Sequence, residues 1–410
     1  MVQSVPLTRR QPFKTFYIVY LLITIIFVHL PYLCIRYALP WARPARSWSL
    51  KRCILVAAYR EILIKLPAKL GLDASRQPPK SNDELKNASF VWIEGLSGES
   101  DAFCGELRKA ASATGVQPTK VLAYWIFRPG TAIPQDLKAT EGEEIALYIH
   151  GGAFILGSAH PDSTTCTLSH GLLAHSSTLS RVLSVDYRLA AATPDPPKNP
   201  FPAALLDCVA AYQYLVQEMG FAPENIIIAG DSAGGNLALA TTRYFVENPI
   251  SGLGPPGRLI SFSGWLDISD SRNGPSDPRT RNQESDIISN HSNYHHRAYL
   301  GPLFDTDERK TNRYLSPVSP HITPTKGLFK GFPRTYVSAG GMEMIVDDST
   351  VVVEMMKADG VDVVLDIEAD AIHDYMGFAW MEPERTAGLK KVGEWIDNRR
   401  GNCMEAAIEA

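Results

Sequence analysis

The residues of this sequence best suited to chemistry stand in the run Gly230-Asp231-Ser232-Ala233-Gly234-Gly235. This run follows the apolar segment 225–229 and precedes a helical pattern at 236–247, so it predicts a sharp strand-to-helix turn. Small residues two positions before and after Ser232 let the strand and the helix approach each other. The start of the helix then points free N–H groups at an oxygen that becomes negative. This context predicts Ser232 as the nucleophile of an acyl-transfer reaction.

A second glycine-rich run, His150-Gly151-Gly152-Ala153-Phe154, ends an earlier strand candidate. Glycines at such a place let the backbone approach a substrate closely and donate N–H groups to it. We expect the N–H groups of Gly152 and Ala153, together with that of Ala233, to form an oxyanion hole. We expect His150 to orient this loop by hydrogen bonding and not to act as a base.

A serine nucleophile needs a base and an acid, and after a strand–turn–helix nucleophile the acid precedes the base in the chain. Among the downstream histidines only His373 lies just past a late strand and its loop, so it is the predicted base. The others fall in a polar or proline-rich stretch, where solvated histidines are the default: 291, 295, 296 and 321.

The acid should follow the preceding strand candidate, Thr335–Ser338. Glu343 comes first after that strand and its Gly-Gly turn. Asp347 and Asp348 come next, and a carboxylate there is also favoured as the start of the following helix. The sequence favours Glu343 as the acid and keeps Asp347 as the alternative.

These residues require a scaffold in which strands alternate with helices. Such alternation predicts the α/β class, with a mostly parallel sheet flanked by helices. The strand candidates are 144–150, 181–187, 225–229, 259–262, 334–338 and 361–367, and the helix candidates are 201–219, 236–247 and 347–359. We assign residues 120–400 to one catalytic domain, which leaves 401–410 as a C-terminal tail.

The N-terminus carries a different signal, an apolar run without formal charge from Phe16 to Ile35. A helix needs about 20 such residues to cross the hydrocarbon core of a bilayer. A cleaved signal peptide would have a shorter core and a small-x-small cleavage site, and a buried core helix would have a polar stripe. We therefore predict a tail at 1–15 and a single uncleaved membrane anchor at 16–38.

The next region, 39–119, is predicted to be a cap and linker. Its stretch 48–72 has the helical spacing of an amphipathic helix that lies on an apolar surface, either the catalytic domain or the bilayer. Three basic residues precede the anchor and five follow it, which weakly favours a cytosolic catalytic domain. Candidate glycosylation sequons at Asn87 and Asn290 favour the lumen, so the side of the membrane stays open.

The composition excludes several classes of function. The chain has 410 residues, a formal charge of −4 and hydrophobic residues at 45%, as in ordinary folded proteins. The near-neutral charge argues against nucleic-acid binding. Six scattered cysteines fit neither a zinc site nor a disulfide framework and indicate free thiols. We expect no metal and no cofactor.

The runs quoted above resemble the hormone-sensitive-lipase group of α/β-hydrolases. His150–Phe154 is similar to that group's H-G-G-G-F oxyanion motif, and Gly230–Gly235 matches its G-D-S-A-G-G turn. Asp186–Ala190 and Phe201–Ala204 resemble its Y-R-L-A and F-P-A elements. The group's acid, laid over the segment 341–348, falls on Glu343, with the usual interval to the base. The resemblance covers roughly 120–400 and implies the α/β-hydrolase fold, here with an N-terminal helical cap and one membrane anchor.

The resemblance implies a serine carboxylic-ester hydrolase. The anchor makes the layout similar to membrane-bound members such as arylacetamide deacetylase and fungal steryl acetyl hydrolases. We therefore expect a single-pass protein of the endoplasmic reticulum membrane that removes acetyl or other short acyl groups from lipophilic esters of sterol-like or secondary-metabolite alcohols. Ala153 in place of a third glycine, and Glu in place of Asp as the acid, are departures from the pattern. The alternatives are an acyltransferase or amidase on the same triad, and a catalytically inactive ligand-binding protein.

Overall fold

The computed structural model describes residues 6–61, 77–98, 100–269, 271–272, 274, 276–288 and 293–399. Within these residues the chain builds an eight-stranded sheet in the order β1-β2-β4-β3-β5-β6-β7-β8. The strands are β1 Ala88–Ile93, β2 Val121–Phe127, β3 Ile145–Ile149, β4 Arg181–Asp186, β5 Ile226–Asp231, β6 Arg258–Phe262, β7 Arg334–Gly340 and β8 Val363–Glu368. β2 runs antiparallel to both of its neighbours, β1 and β4. The other neighbouring pairs, along β4-β3-β5-β6-β7-β8, are parallel. The mostly parallel sheet predicted from the sequence is confirmed.

Helices cover both faces of this sheet. Those of the sheet region are Gly105–Thr114, Thr167–His175, Ala203–Gln213, Ala233–Glu247, Pro278–Arg281, Tyr294–Leu300, Glu308–Thr311, Val346–Ala358 and Glu384–Asp397. The apolar run of β5 explains the packing: Ile226 and Ile228 belong to one hydrophobic cluster, and Ile227 and Ala229 to the cluster on the other face. A strand covered on both faces reads as a continuous apolar run, not as an alternating one.

The sheet begins earlier in the chain than the sequence indicates. β1 lies inside the region 39–119 that was assigned to cap and linker, and β2 was not among the strand candidates. Both strands are antiparallel, and β1 is the edge of the sheet, with Trp92 half exposed. The edge strand β1 sees solvent on one side, so its hydrophobic pattern is weaker than that of the central strands, whereas all seven residues of β2 are buried and form a continuous apolar run.

The N-terminal helix is continuous from Phe13 to Tyr37, with a π-helical turn at Ile25–His29. Its 25 residues are long and apolar enough to cross a membrane, and no residue of its most apolar window is buried. Only Tyr37 at its end is buried. Ion pairs join both ends to the sheet domain, one from Arg9 to Asp195 (2.7 Å) and one from Arg36 to Glu284 (2.7 Å).

The segment after this helix packs on the loop that follows β8. Trp48 is fully buried and donates its indole N–H to the carbonyl of Asp370 (2.8 Å). The helix Leu50–Ala58 places its buried face in the same hydrophobic cluster as Ile372 and Tyr375. This part of the amphipathic stretch 48–72 therefore covers the sheet domain, while residues 62–72 lie outside the described residues.

Two minor features of the sequence have defined places. The five described cysteines are all free, and Cys403 lies outside the described residues. Asn87 is half-buried directly before β1, and its carbonyl accepts the backbone N–H of Phe127. Asn290 lies outside the described residues, so both sequons stay predictions.

Candidate active site

Ser232 stands directly after β5 in a strained backbone conformation, with φ 50° and ψ −116°. A β-carbon on Gly230 would lie 2.3 Å from the carbonyl oxygen of Gly234. A β-carbon on Gly234 would lie 2.0 Å from the carbonyl oxygen of Ile149. Both positions therefore require glycine, and they let the helix start press against the strands. The strain holds the serine at the tip of the turn, as nucleophile turns of this kind do.

The loop after β3 carries three consecutive positive φ angles: Gly152 at 112°, Ala153 at 52° and Phe154 at 64°. This path turns the chain so that no hydrogen bond from the N–H of Gly152 or Ala153 is found within the described residues. The N–H of Ala233, first in its helix, is likewise without an acceptor there. Three free donors beside a nucleophile are what an oxyanion hole needs.

Asp231 ties the nucleophile turn to this loop. One of its carboxylate oxygens accepts the N–H of Gly151 (2.9 Å) and the hydroxyl of Tyr148. Gly151 leaves room for it, because a β-carbon there would lie 2.3 Å from the other carboxylate oxygen. Burial raises the pKa of Asp231 well above its usual range. The two hydrogen bonds to Asp231 and the close approach at Gly151 set the distance between the two loops.

His150 is fully buried and supports the same loop. Its ring stacks on that of Tyr187, with centroids 4.3 Å apart, and its Nδ1 lies 2.7 Å from the carbonyl of Gly151. The Tyr187 hydroxyl donates to the carbonyl of His150 (2.9 Å). Burial lowers the pKa of His150, which favours the neutral ring. These contacts tie His150 to the loop, and its orienting role stays a prediction.

The structure brings Glu343 and His373 together. Glu343 follows β7 and is fully buried, and its Oε2 lies 3.2 Å from Nδ1 of His373. Asp347 is half-buried in the first turn of the helix Val346–Ala358 and has no hydrogen bond to His373 in the described part of the chain. Asp348 is buried elsewhere, where it accepts the N–H groups of Leu266 and Asp267, both at 3.0 Å.

The other ring nitrogen of His373 faces a second carboxylate. Its Nε2 lies 3.2 Å from Oδ2 of Asp374, a residue in the left-handed conformation with φ 53°. Burial lowers the pKa of His373, but Asp374 and Glu343 outweigh this and hold it well above its usual range. Burial raises the pKa of Glu343, whereas the hydrogen bonds from His373 and Ser263 lower it.

The turn after β6 connects the serine to the histidine. The backbone N–H of Trp265 donates to the carbonyl of Ser232 (3.0 Å). In the same turn the hydroxyl of Ser263 accepts the N–H of Asp374 (3.1 Å). All these residues follow the carboxyl ends of parallel strands, the edge at which open α/β sheets place their sites.

Sequence reasoning missed a set of buried polar residues in the insertion 269–296, which reads as a solvated loop. Asn282, Ser285 and Asp286 are at most 4% exposed. Their partners are backbone groups of the loops that carry the acid and the base, such as the carbonyl of Glu343, which accepts from the Asn282 amide (2.8 Å). Their sequence signal is weak, because nothing local marks a polar residue that is bound by a distant backbone.

No group of three His, Cys, Asp or Glu side chains suited to a metal ion is found among the described residues. The buried carboxylates of the site are bound by N–H groups, by the Tyr148 hydroxyl and by the imidazole. The arrangement supplies a serine on a strained turn, an imidazole with a carboxylate at Nδ1 and N–H donors for a negative oxygen, the parts that nucleophilic catalysis by a serine needs. Among the described residues no hydrogen bond joins the Ser232 hydroxyl to His373, whose Nε2 faces Asp374 instead.

Known proteins share this architecture. A family model described as alpha/beta hydrolase fold matches residues 146–377, more than half of the chain. The chain is 30% identical over 276 residues to esterase LipU of Mycobacterium tuberculosis, which covers 65% of this chain and 81% of that protein. It is 27% identical over 267 residues to an acetyl-hydrolase of Streptomyces hygroscopicus, covering 63% of this chain and 77% of that one.

Solved structures agree. A mutant of esterase E40 superposes with a TM-score of 0.59 at 25% identity, covering 87% of this chain and 99% of that one. A hormone-sensitive lipase from a metagenome library superposes with a TM-score of 0.56 at 26% identity, covering 85% and 98%.

Proposed function

This chain belongs to the hormone-sensitive-lipase group of the α/β-hydrolase family and is a serine carboxylesterase, and on that premise we propose Ser232, His373 and Glu343 as its catalytic triad. The hydroxyl oxygen of Ser232 attacks the ester carbonyl carbon while Nε2 of His373 takes the hydroxyl proton. The N–H groups of Gly152, Ala153 and Ala233 hold the negative oxygen of the tetrahedral intermediate. His373 returns the proton to the leaving alcohol, and an activated water then releases the acid.

One observation carries this assignment: the 3.2 Å contact between Glu343 Oε2 and His373 Nδ1, both fully buried. A carboxylate at Nδ1 fixes the imidazole tautomer that leaves Nε2 free to accept a proton, and it stabilises the imidazolium that forms. Asp374 occupies Nε2 in the resting protein, so its carboxylate must turn away as the substrate and the serine hydroxyl come into place.

The experiment is hydrolysis of p-nitrophenyl esters from acetate to decanoate by detergent-solubilised protein, with Ser232→Ala as the variant. We expect turnover by the wild type and a loss in kcat of roughly 10⁴-fold or more in the variant. The matched control is Ser112→Ala, which removes an exposed hydroxyl that donates to the carbonyl of Arg108 (2.9 Å) and should keep full activity. No turnover at any chain length by folded wild type would contradict the assignment.

We propose further that the acyl group is short. Aromatic rings pack beside the turn after β6, whose Trp265 donates its backbone N–H to Ser232. Phe154 stacks on Tyr299 with centroids 3.5 Å apart and tilts against Trp265 at 5.8 Å. All three are at most 8% exposed, so little space is left there. The acetyl-hydrolase among the relatives supports the same direction. Acetate and butyrate esters should therefore be turned over faster than decanoate, and the reverse order would contradict this point.

The alcohol part of the substrate is proposed to be lipophilic, sterol-like or a secondary metabolite. Ala153 adds a methyl group to the loop at a position where the related motif has glycine, and its φ of 52° is one that glycine adopts without strain. Ala153→Gly should keep the N–H donor and raise the turnover of sterol acetates relative to p-nitrophenyl acetate. An unchanged ratio between the two substrates would contradict a role of this methyl group in alcohol selection.

We propose that the helix Phe13–Tyr37 attaches the enzyme to a membrane, that of the endoplasmic reticulum, and supplies substrate from the bilayer. Its apolar length supports this, and so do the exposed side chains of Phe16, Phe27 and Ile35, which are 67%, 72% and 78% exposed. A single crossing, as the sequence favours, would require the ion pair from Arg9 to Asp195 to open, because the two residues would then lie on opposite sides of the bilayer.

An N-terminal epitope tag on the full chain tests this attachment. Membrane pelleting should recover the protein, and carbonate should not extract it. In intact vesicles, protease should remove the tag and the catalytic domain together if the helix lies in one leaflet, or only one of them if it crosses. Recovery of the protein in the soluble fraction would contradict the attachment.

We also propose the domain division 1–15, 16–38, 39–119, 120–400 and 401–410, with the strand β1 belonging to the catalytic domain.

A further inference from the structure

Asp286 is a fully buried carboxylate that the triad does not use. Its Oδ1 accepts the backbone N–H of His373 (3.2 Å) and that of Ile287 (2.7 Å). Its Oδ2 accepts the backbone N–H of Met344 (2.6 Å), the residue next to Glu343. One side chain therefore holds the main chain of the base and the main chain beside the acid, although the acid and the base are 30 residues apart in sequence.

The neighbours of Asp286 continue this clamp. The hydroxyl of Ser285 donates to the carbonyl of Met342 (2.9 Å), and the amide of Asn282 donates to the carbonyl of Glu343 (2.8 Å). The loop of the acid is thus bound on both sides of Glu343 by one short segment. Since the 3.2 Å contact between Glu343 and His373 depends on where both backbones lie, this segment sets it.

The segment is itself held from the N-terminal part of the chain. One guanidinium nitrogen of Arg60 donates to the carbonyls of Gln283 (2.8 Å), Glu284 (3.1 Å) and Asp286 (3.0 Å). Arg60 directly follows the helix Leu50–Ala58 and the residue Tyr59, whose ring packs edge-on against Phe378 at 5.0 Å. A chain of contacts therefore runs from the segment 48–60, which follows the N-terminal helix, through Arg60 to Asp286 and on to His373.

We propose that Asp286 is the positioning residue of the triad, which holds His373 and Glu343 in register, and that Arg60 fixes Asp286 in its place. This inference rests on the proposed triad and adds to it a link between the segment 48–60 and the reaction. A misplacement of about 1 Å of a catalytic group costs on the order of 10²-fold in rate, so a backbone clamp of this kind has a large effect without touching the substrate.

The charge of Asp286 should also affect the pH dependence of kcat/KM. Burial raises the pKa of Asp286 to about 7, while His373 lowers it and Glu343 raises it. The titratable groups that interact with His373 are Glu343, Asp374, Asp231 and Asp286. From the N-terminal segment, Tyr59 lies near Asp374 and Asp231, and Arg60 binds the main-chain carbonyl of Asp286. Above its own pKa Asp286 is negative and stabilises the imidazolium, so Asp286→Asn lowers the pKa of His373 and moves the acid limb of kcat/KM to lower pH.

The test is Asp286→Asn in the full chain, assayed with p-nitrophenyl acetate across pH. We expect kcat to fall roughly 10-fold to 100-fold with KM within about twofold, and the acid limb to move to lower pH. The matched control is Asp359→Asn, since Asp359 also accepts two backbone N–H groups, from Gly327 (2.6 Å) and Phe329 (2.8 Å), at the end of the helix Val346–Ala358. The control should keep kcat and the limb. A kcat within twofold of wild type, or an unmoved limb, overturns the proposal.

A second variant keeps the test valid if Asp286→Asn does not fold. Arg60→Gln removes the donors to the three carbonyls and leaves the core untouched, and we expect a loss in kcat of roughly 3-fold to 10-fold that Arg60→Lys partly restores. Full kcat in Arg60→Gln overturns the role of Arg60.

NMR titration of the His373 ring, assigned with His373→Asn, follows its pKa without any turnover. An unchanged pKa in Asp286→Asn overturns the inference alone, whereas absent wild-type turnover overturns the triad.

Discussion

The two sides of the site are fixed by different physical means. On the oxyanion side, the loop 150–157 obtains its shape from positive φ angles and from close backbone approaches that admit no β-carbon. On the acid–base side, the buried residues Glu343, His373 and Asp286 form a cluster beside the half-buried Asp374, and charges in this cluster shift the pKa values of Glu343, His373 and Asp286. Substitutions on the first side should therefore act through geometry at every pH, and those on the second side should also change the pH profile.

The largest effect is expected on the acid–base side. His373→Ala removes the base, and the triad acts as a unit, so kcat should fall by roughly 10⁴-fold or more. Steady-state kinetics together with a thermal melt of the variant check this. A folded variant that keeps more than a tenth of the wild-type kcat would remove the distinction between the two sides.

On the oxyanion side we expect a smaller loss without a pH shift. A β-carbon on Gly152 would lie 2.1 Å from the carbonyl oxygen of Leu156, so Gly152→Ala must move the loop and its N–H donors. The expected fall in kcat is roughly 10²-fold to 10³-fold, with the acid limb in its wild-type place.

Gly142 supplies the control for this change. It has a positive φ of 71° but nothing within 4 Å of a β-carbon, so Gly142→Ala meets the backbone strain without the clash. It should cost about 1 kcal/mol of stability and leave kcat unchanged. If Gly152→Ala and Gly142→Ala reduce kcat equally, the close backbone approach at Gly152 does not determine the position of the N–H donors.

Asp374→Asn tests the charge on the acid–base side alone. Asparagine tolerates the left-handed conformation with φ 53°, so the fold is retained. Asp374 holds the pKa of His373 up, and without its charge that pKa falls. The neutral base then persists to lower pH, and the acid limb of kcat/KM moves down. A limb that stays in place, or moves up, would show that this carboxylate does not act on the base.

The smallest effect is expected from Tyr187→Phe, behind the oxyanion loop. It removes the hydroxyl that donates to the carbonyl of His150 and leaves the ring stack in place. Urea unfolding should show a loss of about 1 kcal/mol, and the pH profile should keep its shape. A moved acid limb in this variant would mean that the two sides are coupled in charge.

The sequence predicted those parts of the molecule that local patterns determine. The apolar run of β5, the glycines around Ser232 and the position of Glu343 after β7 are all visible within a few residues. The edge strand β1 was missed because its identity depends on pairing with β2, whereas β2 was missed although its seven buried residues form a continuous apolar run that is visible locally. The clamp at Asp286 was missed because its partners at Met344 and His373 are 58 and 87 residues away.

Labelling with a fluorophosphonate, followed by peptide mass spectrometry, tests the central claim most directly, because it reports the nucleophile and its activation together. Folded wild-type protein should carry a single adduct on Ser232, and His373→Ala should label far more slowly. An adduct on another residue, or equal labelling of Ser232 in both proteins, would contradict the triad.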